Sequence, residues 1–255
     1  MSVRPRALAA VAIALAASPF AYLALLSVAG RWEYPRLLPA SLRVDRWSGL
    51  LGSENDLLAS LWVSLAVSAA VGLVSTTAGF VTARAIADHR RRKALLALAY
   101  LPMATSPVIL GVCLMYFYIR LGLVATLAGV VLAHVIFAYA FAVVFWVPFW
   151  NAEKRAYEDL VRTLGGRPFD LYRRVLLPLS REAFALCLFQ TFLISWFQYG
   201  LTLLVGSGKV ETLPLEVYDY VYEADLGYAA VASCLLLLPP VLLSWVNRRI
   251  LRSLV

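Results

Sequence analysis

Few residues in this sequence could do chemistry. There are two histidines, His89 in a charged run and His134 in an apolar one. Ser106 with His134 would suggest a serine hydrolase, but no Gly-x-Ser motif surrounds Ser106 and no carboxylate stands in the apolar runs to orient a base. Gly206-Ser207-Gly208-Lys209 has the outline of a phosphate loop, yet Leu203 occupies the place of the required earlier glycine and Val210 that of the Ser/Thr after Lys. Cys113, Cys187 and Cys234 all lie inside apolar runs, which suggests neither a disulfide framework nor a metal site but small packing residues. The chain is therefore expected to be no enzyme and to bind no metal or cofactor of its own. What remains is hydrogen-bonding capacity within apolar segments: Gln190, Gln198 and His134, with Tyr199 beside Gln198. Such groups are costly in lipid and are expected to face the protein interior or a cavity. They are candidates for a translocation path or gate, or else for interhelical hydrogen bonds of about 0.6–2 kcal/mol.

The elements that must position them are membrane helices. Hydrophobic residues make up 62% of the 255-residue chain and charged residues 15%, far from soluble averages. Spans are expected at about 7–29, 57–86, 94–119, 123–147, 184–205 and 226–246, each near the ~20 residues that one crossing needs. Pro102 and Pro107 should kink the third, and Pro239-Pro240 should interrupt the sixth. Ser60, Ser64, Ser68, Gly72, Ser75 and Gly79 recur every three or four residues as a small-residue stripe, which allows close helix packing. Ala125, Gly129 and Ala133 make a second seam beside His134. The formal charge of +8 is not that of a nucleic-acid binder, because the cations collect at alternate ends of the apolar runs. Of 23 Lys and Arg, 17 fall on the set of segments holding both termini and 6 on the other, which predicts both termini in the cytoplasm. The turn Asp88 to Lys93 is expected to anchor at the inner surface.

One polar stretch carries a helical pattern of its own, Asp159 to Pro178. Leu160, Val161 and Leu164 sit at helical spacing before Gly165-Gly166, where the chain should turn. Arg167-Pro168 restarts a helix, since a first-turn proline lacks only an N–H that the helix does not use. Phe169, Tyr172, Val175 and Leu176 form its apolar stripe, and Leu177-Pro178 should end the unit.

This stretch resembles the cytoplasmic coupling loop of ABC importer permeases of the MetI-like, binding-protein-dependent class. That loop reads E-A-A, three residues, Gly, twelve residues, then Pro preceded by Leu. Asp159 falls at the acid, Gly165 at the glycine and Pro178 at the proline, while Leu160 and Val161 replace the alanines and Glu158 adjoins the acid. Gln198-Tyr199-Gly200, then Gly206, then Thr212-Leu213-Pro214 to Tyr218 also resembles the E-F-G … G … T-L-P-x-x-I-Y pattern of the iron, thiamine, sulfate and polyamine branch, with Gln198 in place of the acid.

The resemblance implies an all-α integral membrane protein, a single permease domain over 1–255 with six spans and a two-helix coupling loop at 151–181. It implies that Glu158, Asp159, Leu164, Gly165, Gly166, Phe169, Tyr172, Leu177 and Pro178 form the ATPase-coupling site. The implied partners are ATP-binding cassette ATPase subunits that use the ATP, a second permease subunit, identical or not, and a periplasmic or lipid-anchored substrate-binding protein. Membrane lipid is the remaining partner and nucleic acid is none. The implied location is the bacterial inner membrane. The alternative is an ion- or proton-coupled secondary transporter, which would need coupling acids within its spans, and the spans hold none.

Overall fold

The computed structural model describes residues 5–30, 32, 38–50, 56–165 and 167–252. In chain order the helices are α1 (Pro5–Val28), α2 (Asp45–Gly49), α3 (Leu57–Ala87), α4 (Arg92–Ala104), α5 (Pro107–Leu121), α6 (Leu127–Trp146), α7 (Ala152–Thr163) and α8 (Pro168–Asp170). After a π-helical stretch, Leu171–Leu176, come α9 (Leu177–Trp196), α10 (Gly200–Gly206), α11 (Leu213–Tyr222) and α12 (Leu226–Arg252). Among the described residues there are five helices long and apolar enough to cross a membrane, and six spans if the bent pair α4 and α5 is one.

Proline chemistry explains three departures from the expected spans. The third is broken rather than kinked: α4 and α5 diverge by 99°. Pro107 opens α5, and the residue before a proline is pushed out of the helical region, so Ser106 (ψ 136°) and Thr105 (ψ 141°) are extended. Pro178 does not end the inner segment. It sits in the first turn of α9, directly after the π-helical stretch, where Leu177 N–H bonds to Tyr172 O five residues back. A proline lacks the N–H of a helical position and its ring crowds the carbonyl four residues earlier; the wider π turn accommodates both. Pro239-Pro240 likewise leaves α12 helical throughout.

The fourth span is also shorter than expected, and the fifth is shifted towards the N-terminus, at Leu171–Trp196. The fourth begins at Leu127, because residues 123–126 form a turn in which Ala125 (φ 59°) donates to Val205 O and Thr126 caps the Gly129 N–H. A Cβ on Gly129 would run into the Leu123 carbonyl, so this turn requires glycine there. The fifth ends at Trp196, and Phe197 to Tyr199 separate it from α10.

The chain divides into two compact units. Met1–Trp62 with Thr212–Pro239 is held together by polar contacts: Arg43 N–H donates to Val28 O at 2.7 Å, Arg46 Nη1 to Ala29 O at 2.6 Å, and Ser60 Oγ to Glu216 Oε1 at 2.8 Å. Val63–Glu211 with Pro240–Val255 holds the larger cores. One joins Val67, Val71, Val130, Ala133, Leu201 and Val205; the other joins Phe80, Ala83, Val143, Trp146, Trp150, Leu171 and Leu176. The small-residue stripe is buried along α3 and serves as a packing seam. At Gly79 an added Cβ would lie 2.6 Å from Ala142 Cβ, so α3 and α6 meet there nearly backbone to backbone.

Candidate functional site

The segment at 151–181 is built on a charged clamp. Asn151 Oδ1 accepts from Lys154 N–H and so caps α7. One turn later Glu158, 6% exposed, pairs with Arg84 at 2.5 Å. Arg84 lies at the end of α3, donates to Tyr172 Oη at 3.2 Å and stacks over the rings of Trp150 and Tyr172. Trp150 Nε1 donates to Phe80 O, and Phe80, Trp146, Phe149 and Trp150 form a floor of edge-to-face and tilted aromatic rings beside the ion pair. A second pair, Arg155 with Asp88 at 3.0 Å, ties α7 to the turn after α3. A single cation thus fixes α7, the π-helical stretch and the end of α3, with its planar guanidinium serving both hydrogen bonding and stacking.

The clamp distinguishes the two adjacent acids. Asp159, aligned with the motif acid by spacing, is exposed, and it is Glu158 that is buried and paired. Gly165 has φ +74° with nothing within 4 Å of an added Cβ, so the turn expected at this position is present and its requirement for glycine is conformational. Gly166 lies outside the described residues. In this segment Leu160, Leu164, Phe169 and Leu177 are exposed, Leu164 at 79% and Phe169 at 69%, and Phe169 and Leu177 line a pocket with Tyr172 and Phe80. Tyr172 is half-buried, bonded to Arg84 of the clamp. Among the described residues no group of three or more His, Cys, Asp or Glu could hold a metal ion; the segment combines exposed apolar side chains with a buried ion pair.

The polar groups of the spans separate into three situations. His134 is 2% exposed, and both ring nitrogens are bonded, Nδ1 with Ser195 Oγ at 2.8 Å and Nε2 with Thr202 Oγ1 at 2.9 Å. Thr202 donates its one hydroxyl proton to Gln198 O, so Nε2–H donates to Thr202 and Ser195 donates to Nδ1. This directional chain joins α6 to α9 and α10 across the break and occupies both ring nitrogens of His134. Gln190 lies on an exposed face. Gln198 stands in the break itself, with Nε2 buried and without a hydrogen-bond partner, and Tyr199 beside it is half-buried. Arg84 escaped the sequence reading; a lone cation at the end of a span otherwise free of charge was its one available signal.

Residues 75–255 match the family model described as the binding-protein-dependent transport system inner membrane component. The molybdenum transport system permease protein ModB of Mycobacterium tuberculosis is 30% identical over 242 residues, 88% of this chain and 86% of that one. The spermidine/putrescine transport system permease protein PotC of Escherichia coli K12 is 24% identical over 178 residues, 69% of this chain and 67% of that one. Among solved structures, an inward-facing form of the MetNI methionine ABC transporter aligns with a TM-score of 0.59 at 17% identity, covering 78% of this chain and 96% of that one.

Proposed function

The chain belongs to the binding-protein-dependent inner membrane component family, as the permease subunit of an ATP-driven ABC importer, and from that premise we propose that residues 151–181 are its coupling segment. The observation that carries this reading is the exposure of the apolar side chains Leu160, Leu164, Phe169 and Leu177 in a segment held by the Arg84–Glu158 clamp. These side chains bury themselves in a surface cleft of an ATPase subunit, which binds and hydrolyses the ATP. Because Arg84 ties the segment to α3, displacement of the ATPase is transmitted to a span without passing through a flexible joint. Closure of two ATPase subunits favours one of two states of the paired spans, and transport follows from the shift between them.

Family membership favours this over an ion-coupled secondary carrier. A second permease subunit completes the path, and a substrate-binding protein delivers cargo to the outer side. In this reading both termini and residues 151–181 are cytoplasmic, supported by the distribution of Lys and Arg.

The test is Phe169→Asp with Leu164→Asp, which removes exposed apolar side chains without touching the clamp. The expected result is an inserted, folded permease that no longer retains its ATPase on purification; unchanged retention overturns the assignment. Sidedness is tested separately. A cysteine replacing Arg167 should react with an impermeant thiol reagent only in opened cells, and one replacing Ser207 should react in cells whose outer surface is accessible. The reverse pattern overturns the topology.

A further inference from the structure

Beside the coupling segment, the larger unit has an apolar groove of about 550 Å³, lined by α3, α4 and α6. Ile86, Leu95, Leu98, Ala99, Val135 and Val143 line it, and Tyr139 Oη donates to Thr82 Oγ1 at its wall. His89 stands at its inner mouth. The next four residues, Arg90, Arg91, Arg92 and Lys93, are all exposed, and none has an ion pair among the described residues. The neighbouring acid, Asp88, is already paired with Arg155. Four uncompensated cations therefore lie between two residues that line the groove, His89 and Leu95.

The turn is ordered for this placement. His89 N–H donates to Ile86 O, Arg92 N–H donates to His89 O, and Arg91 N–H donates to His89 Nδ1 at 2.9 Å. With Nδ1 accepting, the neutral ring carries its proton on Nε2, which is left as a donor. An apolar trough with a cationic, donor-rich mouth matches one kind of molecule: an acyl chain with an anionic phosphate head. We propose that this groove is a binding site for an anionic phospholipid of the inner leaflet, its acyl chain along α4 and α6 and its phosphate among His89 and Arg90 to Lys93. A cationic run that only followed the positive-inside bias would attract the leaflet as a whole, with no chain-sized trough beside it. The proposal rests on the inner placement of this turn, which the Arg155–Asp88 pair holds against the coupling segment.

The test is native mass spectrometry of the full chain, with any co-purifying subunits, released from nanodiscs of equimolar phosphatidylglycerol and phosphatidylcholine. Because both leaflets have the same composition, the result is independent of the topology and of the coupling assignment. The expected result is retention of phosphatidylglycerol about tenfold over phosphatidylcholine. Replacing Arg90, Arg91, Arg92 and Lys93 together by Gln, all at exposed positions, should bring the ratio near one. Ala99→Phe, which fills the trough, should lower retention of both lipids. Equal retention by the unaltered chain, or a preference that survives the Gln substitutions, overturns the proposal. So does Leu98→benzoylphenylalanine cross-linking to a second permease copy rather than to lipid, since a protein would then occupy the groove.

Discussion

The two polar centres of the larger unit solve the same packing problem with different chemistry. At the inner end, α3 is joined to α7 and the π-helical stretch by a full ion pair, Arg84 with Glu158. Within the spans, α6 is joined to α9 and α10 by neutral groups only, the Ser195–His134–Thr202 chain. The difference follows from the solvent each one faces. The clamp lies at the end of α3, where Arg84 keeps 21% of its side chain exposed, so a charge can be kept there if it is paired. In hydrocarbon an ionised partner would be far more costly, and neutral donors and acceptors matched one to one give direction without charge. A charged clamp is costly to break from one side; a neutral chain is cheaper to lose.

The largest effect is expected from breaking the clamp on one side. Glu158→Ala leaves Arg84 charged and unpaired above the aromatic floor, and should cost about 3 kcal/mol in thermal unfolding of the detergent-solubilised protein, together with ATPase retention. Asp159→Ala, at the exposed neighbour, should be near neutral. If the two substitutions cost the same, the clamp is not what holds α7. Removing both charges, Arg84→Met with Glu158→Leu, sharpens the point: stability should recover most of the loss, because no buried charge is left unmatched.

Gly165→Val comes next. With open space around the position and φ +74°, its cost is backbone strain of roughly 1–2 kcal/mol, confined to the turn. The permease should insert normally but retain less ATPase, and retention equal to the unaltered protein would count against a coupling role for the turn.

His134→Leu removes two neutral hydrogen bonds and should cost about 1 kcal/mol, less than Glu158→Ala. His134→Gln, which keeps a donor and an acceptor, should recover part of it. A loss from His134→Leu equal to that at the clamp would erase the contrast between the two centres.

The smallest effect on stability is expected at Gln198, whose Nε2 has no partner to lose. Gln198→Leu should leave the unfolding temperature unchanged or slightly higher, since an orphaned buried amide is itself unfavourable. We hypothesise that the amide finds its partner in another state of the transport cycle, so that the same substitution uncouples hydrolysis from the binding protein. ATPase activity in proteoliposomes with and without binding protein decides this; retained dependence on the binding protein reduces Gln198 to a packing residue.

The sequence by itself determined the membrane helices, the side on which the cations collect, and the glycine turn at Gly165. These are local properties: an apolar run of sufficient length has only the helix available in lipid, and a turn that needs positive φ selects glycine. Spacing also located the inner segment, because motif and helical period are both read along the chain. Tertiary structure decided which groups meet. Arg84 and Glu158 are 74 positions apart, and no local pattern distinguishes the paired Glu158 from the exposed Asp159. The partners of His134, Ser195 and Thr202, lie 61 and 68 positions away. The break at Phe197 to Tyr199 and the π turn before Pro178 were equally hidden. Each is a small change in backbone register, and whether a helix accepts it depends on the neighbours that satisfy the freed groups, which lie elsewhere in the chain.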